Sequence, residues 1–262
     1  IEHIRIDFKN YTDDFPLQWK EFIKGRRVTG AFHGLTKSKI PGFLNTIFAK
    51  GDTTKKQIDS AFQQGLANPE NIQFHFEIGG NYFLELAKLK AFRVLWKSKK
   101  GKSPFIFATT TLANKEEEFA YNNILRTTTE CMSSIFGGAD AIMINSYNHT
   151  FEMPTEFSER IARNQQTILR KESYLDKVND PTKGAYYINY LIDELLKDYE
   201  LKEIGEKESL SIKKWLSPEQ IEIQKEYRKE DTNHLKHLNF VAGLDPNLRG
   251  PYATMYVMRP WT

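Results

Sequence analysis

The sequence contains one cysteine in 262 residues, Cys131, so no internal disulfide can form. That scarcity fits a reducing, cytosolic compartment. No apolar run approaches the roughly 20 residues that span a bilayer. The first residues, Ile1-Glu-His-Ile-Arg5, lack the basic, apolar and small-residue sections of a secretory signal. An excess of one charge is missing too: 37 basic against 34 acidic residues leave a net charge of +3. The charges are mixed along the chain rather than gathered in a basic block, which removes the electrostatic footprint of a nucleic-acid binder. Neither a nucleic acid nor a membrane is an expected partner. Internal repeats and low-complexity tracts are absent. Gly79-Gly80 and Gly137-Gly138 fall short of a dinucleotide or P-loop motif and read as turns. His234 and His237 form an isolated His-x-x-His, and a metal needs further ligands at suitable spacing. Asn148-His-Thr150 matches a glycosylation pattern, but without a secretory signal it reads as chance. Cys131 lies in a helix-like stretch and reads as a buried structural thiol.

What the chain does have is a 40% hydrophobic composition, enough for a sizeable core and one or two domains. Ile72, Phe74, Phe76 and Ile78 alternate with Gln73, His75 and Glu77, the pattern of a strand. A Gly79-Gly80-Asn81 turn leads into a helix whose apolar face includes Phe83, Leu86, Leu89, Phe92 and Leu95, with lysines spaced among them. A second strand, 104–111, precedes a helix from about Glu116 to Phe136. A third strand, 139–145, precedes a helix capped by Thr155, with Phe157, Ile161, Ile168 and Leu169 on its inner side. The loop Asp180-Pro-Thr-Lys-Gly184 leads to a last helix over 186–199. Upstream, 4–8 and 28–32 read as strands and 56–66 as a helix. Strand–helix alternation argues for an α/β fold with a parallel sheet. At most five βα units are expected by residue 199, whereas a complete (β/α)8 barrel needs about 250 residues. Three segments follow: an irregular α/β stretch over 1–70, a barrel part over 71–199, and an extended arm over 200–262. In the arm, Ser217-Pro-Glu-Gln220 has the form of a helix-capping box, yet Ile221 and Ile223 alternate with polar residues and favour extended chain. If Phe74 and Phe76 face the helices, then Gln73, His75 and Glu77 point into the barrel.

The last fourteen residues, Arg249-Gly-Pro-Tyr-Ala-Thr-Met-Tyr-Val-Met-Arg-Pro-Trp-Thr262, concentrate prolines, arginines and aromatic rings. Proline fixes φ and removes donors, so this is neither an ordinary helix nor a central strand. Rings that stack and arginines that pair with phosphate suit a ligand carrying a base and phosphates. A proline-stiffened arm packed on a neighbouring domain is the plainer reading.

This run resembles the segment that opens the substrate barrel of methylmalonyl-CoA mutases, the adenosylcobalamin-dependent acyl-CoA mutases. Ile78-Gly-Gly-Asn-Tyr-Phe-Leu-Glu-Leu-Ala-Lys88, Arg126-Thr-Thr-Thr-Glu130, Phe157-Ser-Glu-Arg-Ile-Ala-Arg-Asn-Gln-Gln166 and Asp180-Pro-Thr-Lys-Gly-Ala-Tyr-Tyr187 are similar to later barrel units of that family. The resemblance covers about 71–198 and 216–262 and is nearer to the non-catalytic small subunit of the two-subunit enzymes. It implies a partial (β/α)8 barrel followed by an extended arm. It also implies that Tyr252, Ala253, Thr254, Met255, Arg259 and Thr262 line an acyl-CoA channel. The implied reaction interconverts methylmalonyl-CoA and succinyl-CoA by a radical rearrangement, in a heterodimer with a second mutase subunit or with the remaining barrel segments. The order is unusual, because in the family the arm precedes the barrel. The family's Asp-x-His-x-x-Gly cobalamin motif holds none of the six histidines, and its Tyr-His-x-x-Glu-Ala-Gly substrate motif is missing. Catalytic, cofactor-binding and metal residues are therefore not expected in this chain. Acyl specificity, including for isobutyryl- or ethylmalonyl-CoA, stays open.

Overall fold

The computed structural model describes residues 3–6, 29–32, 43–68, 70–202 and 214–252. Six parallel strands form one sheet: β1 (His3–Ile6), β2 (Thr29–Phe32), β3 (Phe43–Phe48), β4 (Ile72–Ile78), β5 (Ile106–Thr110) and β6 (Ala141–Met143). Their spatial order is their chain order, with no reversal. Parallel neighbours need crossovers, and right-handed crossovers that always step the same way put every helix on one face. A sheet so loaded shields its other face by curling, so the arrangement is a partial (β/α)8 barrel rather than a doubly wound sheet.

Helix α1 (Thr54–Ala67) follows β3, α2 (Tyr82–Lys100) follows β4, α3 (Asn122–Phe136) follows β5, and α4 (Glu156–Lys171) follows β6. A further helix, α5 (Tyr186–Leu196), packs against α2. Between sheet and helices lies the main core, in which Ile47, Phe74, Phe76 and Ile106 from the strands meet Ile58, Phe62, Phe92 and Trp96 from the helices. A smaller cluster joins Cys131, Ile144, Ala162 and Leu169. Arg93 of α2 ties the strand entries together, donating to the carbonyls of Pro104 and Gly138 and pairing with Asp140 at 2.8 Å.

Six strands stand where the sequence pattern predicts at most five units. The additional one is β3, whose Phe-Leu-Asn-Thr-Ile-Phe breaks the alternation with two central polar residues. Their use is internal: Thr46 Oγ1 accepts a bond of 2.9 Å from Gln73 of the neighbouring strand. Helix α3 also starts later than expected. Asn123 holds the preceding loop folded, accepting from the Glu116 amide and donating to its carbonyl. Thr155 caps α4 as expected, accepting from the Ser158 amide while the Ser158 hydroxyl accepts from the Thr155 amide.

The inner face of α4 needs a correction. Phe157 and Ile168 are exposed, and the buried positions are Ser158, Ala162, Gln165 and Leu169. Gln165 sets this rotation by donating to the Ile124 carbonyl and to the hydroxyls of Thr127 and Thr128. A polar contact on α3 outcompetes the apolar stripe that the periodicity picks out.

Within 214–225 the chain forms a hairpin of β7 (Lys214–Leu216) and β8 (Glu222–Gln224). Ser217 thus closes a hairpin turn rather than capping a helix: its hydroxyl accepts from the Ile221 amide at 3.2 Å. The hairpin packs Trp215 on Tyr174, with ring centroids 4.8 Å apart, and the Asn179 amide donates to the Lys225 carbonyl. The chain divides into two compact units, 1–225 and 226–262. In the second, the described residues form turns and one 3-10 helix, Lys229–Thr232.

Candidate functional site

Barrel enzymes place their chemistry at the carboxyl ends of the strands. Among the described residues, buried polar groups lie along β4 and in the elements that follow β4 and β5. Phe74, Phe76 and Ile78 enter the core beneath α2, so Gln73, His75 and Glu77 take the opposite face of β4. Register then places Phe48, His75 and Phe107 in one row across β3, β4 and β5. The His75 ring lies 5.0 Å from that of Phe48 and 5.2 Å from that of Phe107, and its Nε2 is 2.8 Å from Thr109 Oγ1. Above this row opens a cavity of ≈ 510 Å³, lined by Phe48, Ala49, Lys50, Gly51, Gln57, His75 and Glu77. Gly51 is needed at the lip. Its φ is +153°, and a Cβ there would stand 2.6 Å from the Lys56 Cβ.

Behind the cavity wall, Lys88 is fully buried. It donates to Gln57 Oε1 at 2.8 Å and to the Glu77 carbonyl at 2.7 Å, and it pairs with Glu85. Burial pushes its ammonium below the usual lysine range, and Glu85 partly restores it. The sequence pattern gives this lysine as one of several spaced among the apolar residues of α2, and only the fold reveals its partners. A second buried pair lies at the end of β5. Lys115 Nζ reaches both Glu130 oxygens at 2.9 Å, with both side chains 1% exposed, and Asn114 donates to Glu130 at 2.7 Å. Burial raises the Glu130 carboxyl and lowers the Lys115 ammonium. Cys131 is buried and its thiol is pushed up to about 12, consistent with a structural role. A second cleft, of ≈ 550 Å³, lies between β6, α3 and α4. Its Arg163 and Arg170 are engaged by Glu159 and Asp176.

Of the six residues expected to touch acyl-CoA, Tyr252 is described and is 62% exposed. Ala253, Thr254, Met255, Arg259 and Thr262 lie outside the described residues. His234 and His237 are exposed, and no group of three metal-ligating side chains occurs among the described residues. Gly138, at φ +80°, ends α3 in a turn. Asn148 is buried and donates to Glu152, so it is no glycan acceptor. No helix among the described residues is long and apolar enough to cross a membrane.

A family model for methylmalonyl-CoA mutase matches residues 54–207 and 216–262, most of the chain. The chain belongs to the methylmalonyl-CoA mutase family. The match takes in α1 and residues 54–70, which the motifs alone leave out. The chain is 42% identical over 134 residues to the methylmalonyl-CoA mutase small subunit of Porphyromonas gingivalis, covering 47% of this chain and 22% of that protein. It is 41% identical over 133 residues to the mutase of Rhizobium meliloti, covering 47% and 19%. It is 36% identical over 164 residues to the human mitochondrial mutase, covering 58% and 22%. The matched stretch thus spans about a fifth of each relative, from 19% to 22%.

Proposed function

We propose that this chain is a component of an adenosylcobalamin-dependent acyl-CoA mutase that interconverts methylmalonyl-CoA and succinyl-CoA in the cytoplasm. The family match running through the segment Arg249–Thr262 carries this reading. In the proposed role the partial barrel supplies wall, and Tyr252, Ala253, Thr254, Met255, Arg259 and Thr262 supply part of the coenzyme A channel. Flat rings and a guanidinium suit the adenine and phosphate end of that ligand.

The cobalamin itself does not fit the residues at hand. None of the six histidines lies in an Asp-x-His-x-x-Gly sequence. His75, at the barrel mouth, has its Nε2 beside Thr109 and its ring between two phenylalanines. No step is assigned through the cofactor on this chain, and a second mutase subunit is the proposed holder of the cobalamin ligand.

Calorimetric titration with methylmalonyl-CoA, with and without a large mutase subunit, tests the proposal. Heat from the isolated chain is the expected result. The second reading is a non-catalytic assembly subunit, favoured by the 42% identity to a protein named as a small subunit. Absence of heat from the isolated chain, together with stable binding to the large subunit, would select it.

Arg259→Ala in the reconstituted complex is expected to raise KM for acyl-CoA with the fold intact. A lost charge-assisted contact of about 1.5–3 kcal/mol corresponds to tenfold or more. An unchanged KM would make the arginine structural.

A further inference from the structure

Helix α1 holds the lip of the ≈ 510 Å³ cavity along one of its faces. Gln57, Ser60 and Gln64 stand three and four residues apart and so share that face. Gln64 donates to the Phe48 carbonyl at 3.4 Å, and the Lys50 amide donates to Ser60 Oγ at 3.3 Å. The shortest of these bonds runs from Gln57 Nε2 to the Gly51 carbonyl, at 3.1 Å. Gln57 also has a partner in the core: its Oε1 accepts from Lys88 Nζ at 2.8 Å. An amide carries its acceptor and its donors on separate arms. The group that Lys88 demands on one arm therefore decides which group meets Gly51 on the other.

Among the described residues, Lys88 meets only acceptors. An ammonium has three donors, and three oxygens receive them: Gln57 Oε1, the Glu77 carbonyl at 2.7 Å and the Glu85 carboxylate. The Phe76 ring, 5.8 Å from Nζ, closes a further side. The charged groups that face Lys88 are Glu85 of α2 and Glu77 of β4, and both favour the ammonium. Helix α1 presents the neutral Gln57, and Glu130 of α3 is close enough to Glu85 to feel its charge. Burial opposes the ammonium and is the strongest of these influences. A neutral amine keeps two donors and gains a lone pair. Three oxygens would then face two N–H groups, and the lone pair would face no donor. Of the groups bonded to Nζ, Gln57 alone can supply one, by turning its amide over. The same turn sets Oε1 against the Gly51 carbonyl, acceptor against acceptor, and the lip loses its bond.

We propose that Lys88 and Gln57 form a proton-controlled latch on the cavity mouth. With the ammonium present, Gln57 holds the Gly51 lip. When the proton passes to solvent, the Gln57 amide turns and releases it, with no covalent bond to a heavy atom made or broken.

Carbon-detected NMR of the full chain, titrated from neutral to alkaline pH, tests the latch. Lys88 Cε reports the proton, Gln57 Cδ the amide, and the Gly51 carbonyl carbon the lip. The expected result is that all three shift together, with one midpoint below the ordinary lysine range. Lys88→Met should abolish the titration of the Gly51 carbonyl. Gln57→Met should leave Lys88 titrating while the Gly51 carbonyl stays still. At neutral pH the same variant should raise amide exchange over 50–53 by about three- to tenfold, the scale of one lost hydrogen bond. Circular dichroism confirms the fold of each variant, and Gln57→Met carries the test where Lys88→Met does not fold. A Gly51 carbonyl that stays still while Lys88 titrates in the wild type overturns the latch. So does a Lys88 midpoint at or above the ordinary lysine range, or a chain that unfolds before Lys88 loses its proton.

Discussion

Replacing Lys115 with methionine is expected to cost about 3–5 kcal/mol of stability near pH 8, because it leaves the buried Glu130 carboxylate without its cation. Lys115 reaches both Glu130 oxygens at 2.9 Å, and Asn114 is the other donor to that carboxylate. Burial is the leading cause of both displacements, raising Glu130 and lowering Lys115. Desolvation therefore outweighs what the pair returns. A folded-state carboxyl raised above its unfolded value takes up its proton first as pH falls, so the folded state gains on the unfolded state through that window. For a lowered lysine the gain comes as pH rises instead. The intact pair is thus least favourable between the two folded values. In Lys115→Met the carboxyl lies higher still, so the penalty should shrink as pH falls and Glu130 is protonated. Lys115→Met with Glu130→Met removes both charges and should recover most of the loss, since apolar replacement of a buried pair is often neutral or better. Urea denaturation across the pH range provides the check. A single variant as stable as wild type at alkaline pH, or a double variant no better than the single, would refute the account.

This pair also shows why only part of the molecule is legible in its sequence. Strand β4 alternates cleanly, α2 carries a broad apolar arc, and Thr155 announces α4. Each of these signals is local and survives the fold. Strand β3 is hidden because the partner that makes Thr46 useful, Gln73, stands 27 residues away. Lys88 is one of several lysines spaced along α2 until Gln57, 31 residues upstream, and the Glu77 carbonyl close around it. The α4 face is misread for the same reason: Gln165 answers to α3, not to its own helix. The proposed channel segment is legible in the opposite way. Its string of rare residues identifies the family without revealing any geometry, and of its six expected contact residues Tyr252 alone is described.

Trp96→Ala is expected to cost about 3–5 kcal/mol, the range for deleting a buried aromatic side chain. Trp96 is almost fully buried at the centre of the main core. Its ring meets Phe74 edge-on at 4.7 Å and Phe62 at 6.4 Å, and lies nearly parallel to Phe92 at 6.3 Å. Helix α1 comes this close because of Gly65: a Cβ there would stand 2.6 Å from Trp96 Cζ3 and 2.7 Å from Phe74 Cε1. Gly65→Ala should therefore destabilise on its own, since overpacking of about 1–3 kcal/mol exceeds a helix-propensity gain of up to about 1 kcal/mol. In a Trp96→Leu background the space left by the indole lets Phe74 retreat and admits the new methyl. Gly65→Ala should then become neutral or stabilising, a coupling of about 1 kcal/mol or more between contacting residues. Thermal unfolding of the two single variants and the double variant measures it. Strictly additive losses would mean that Gly65 is not what sets the approach of α1 to the barrel, and that the close contact at Trp96 can relax without help from the indole.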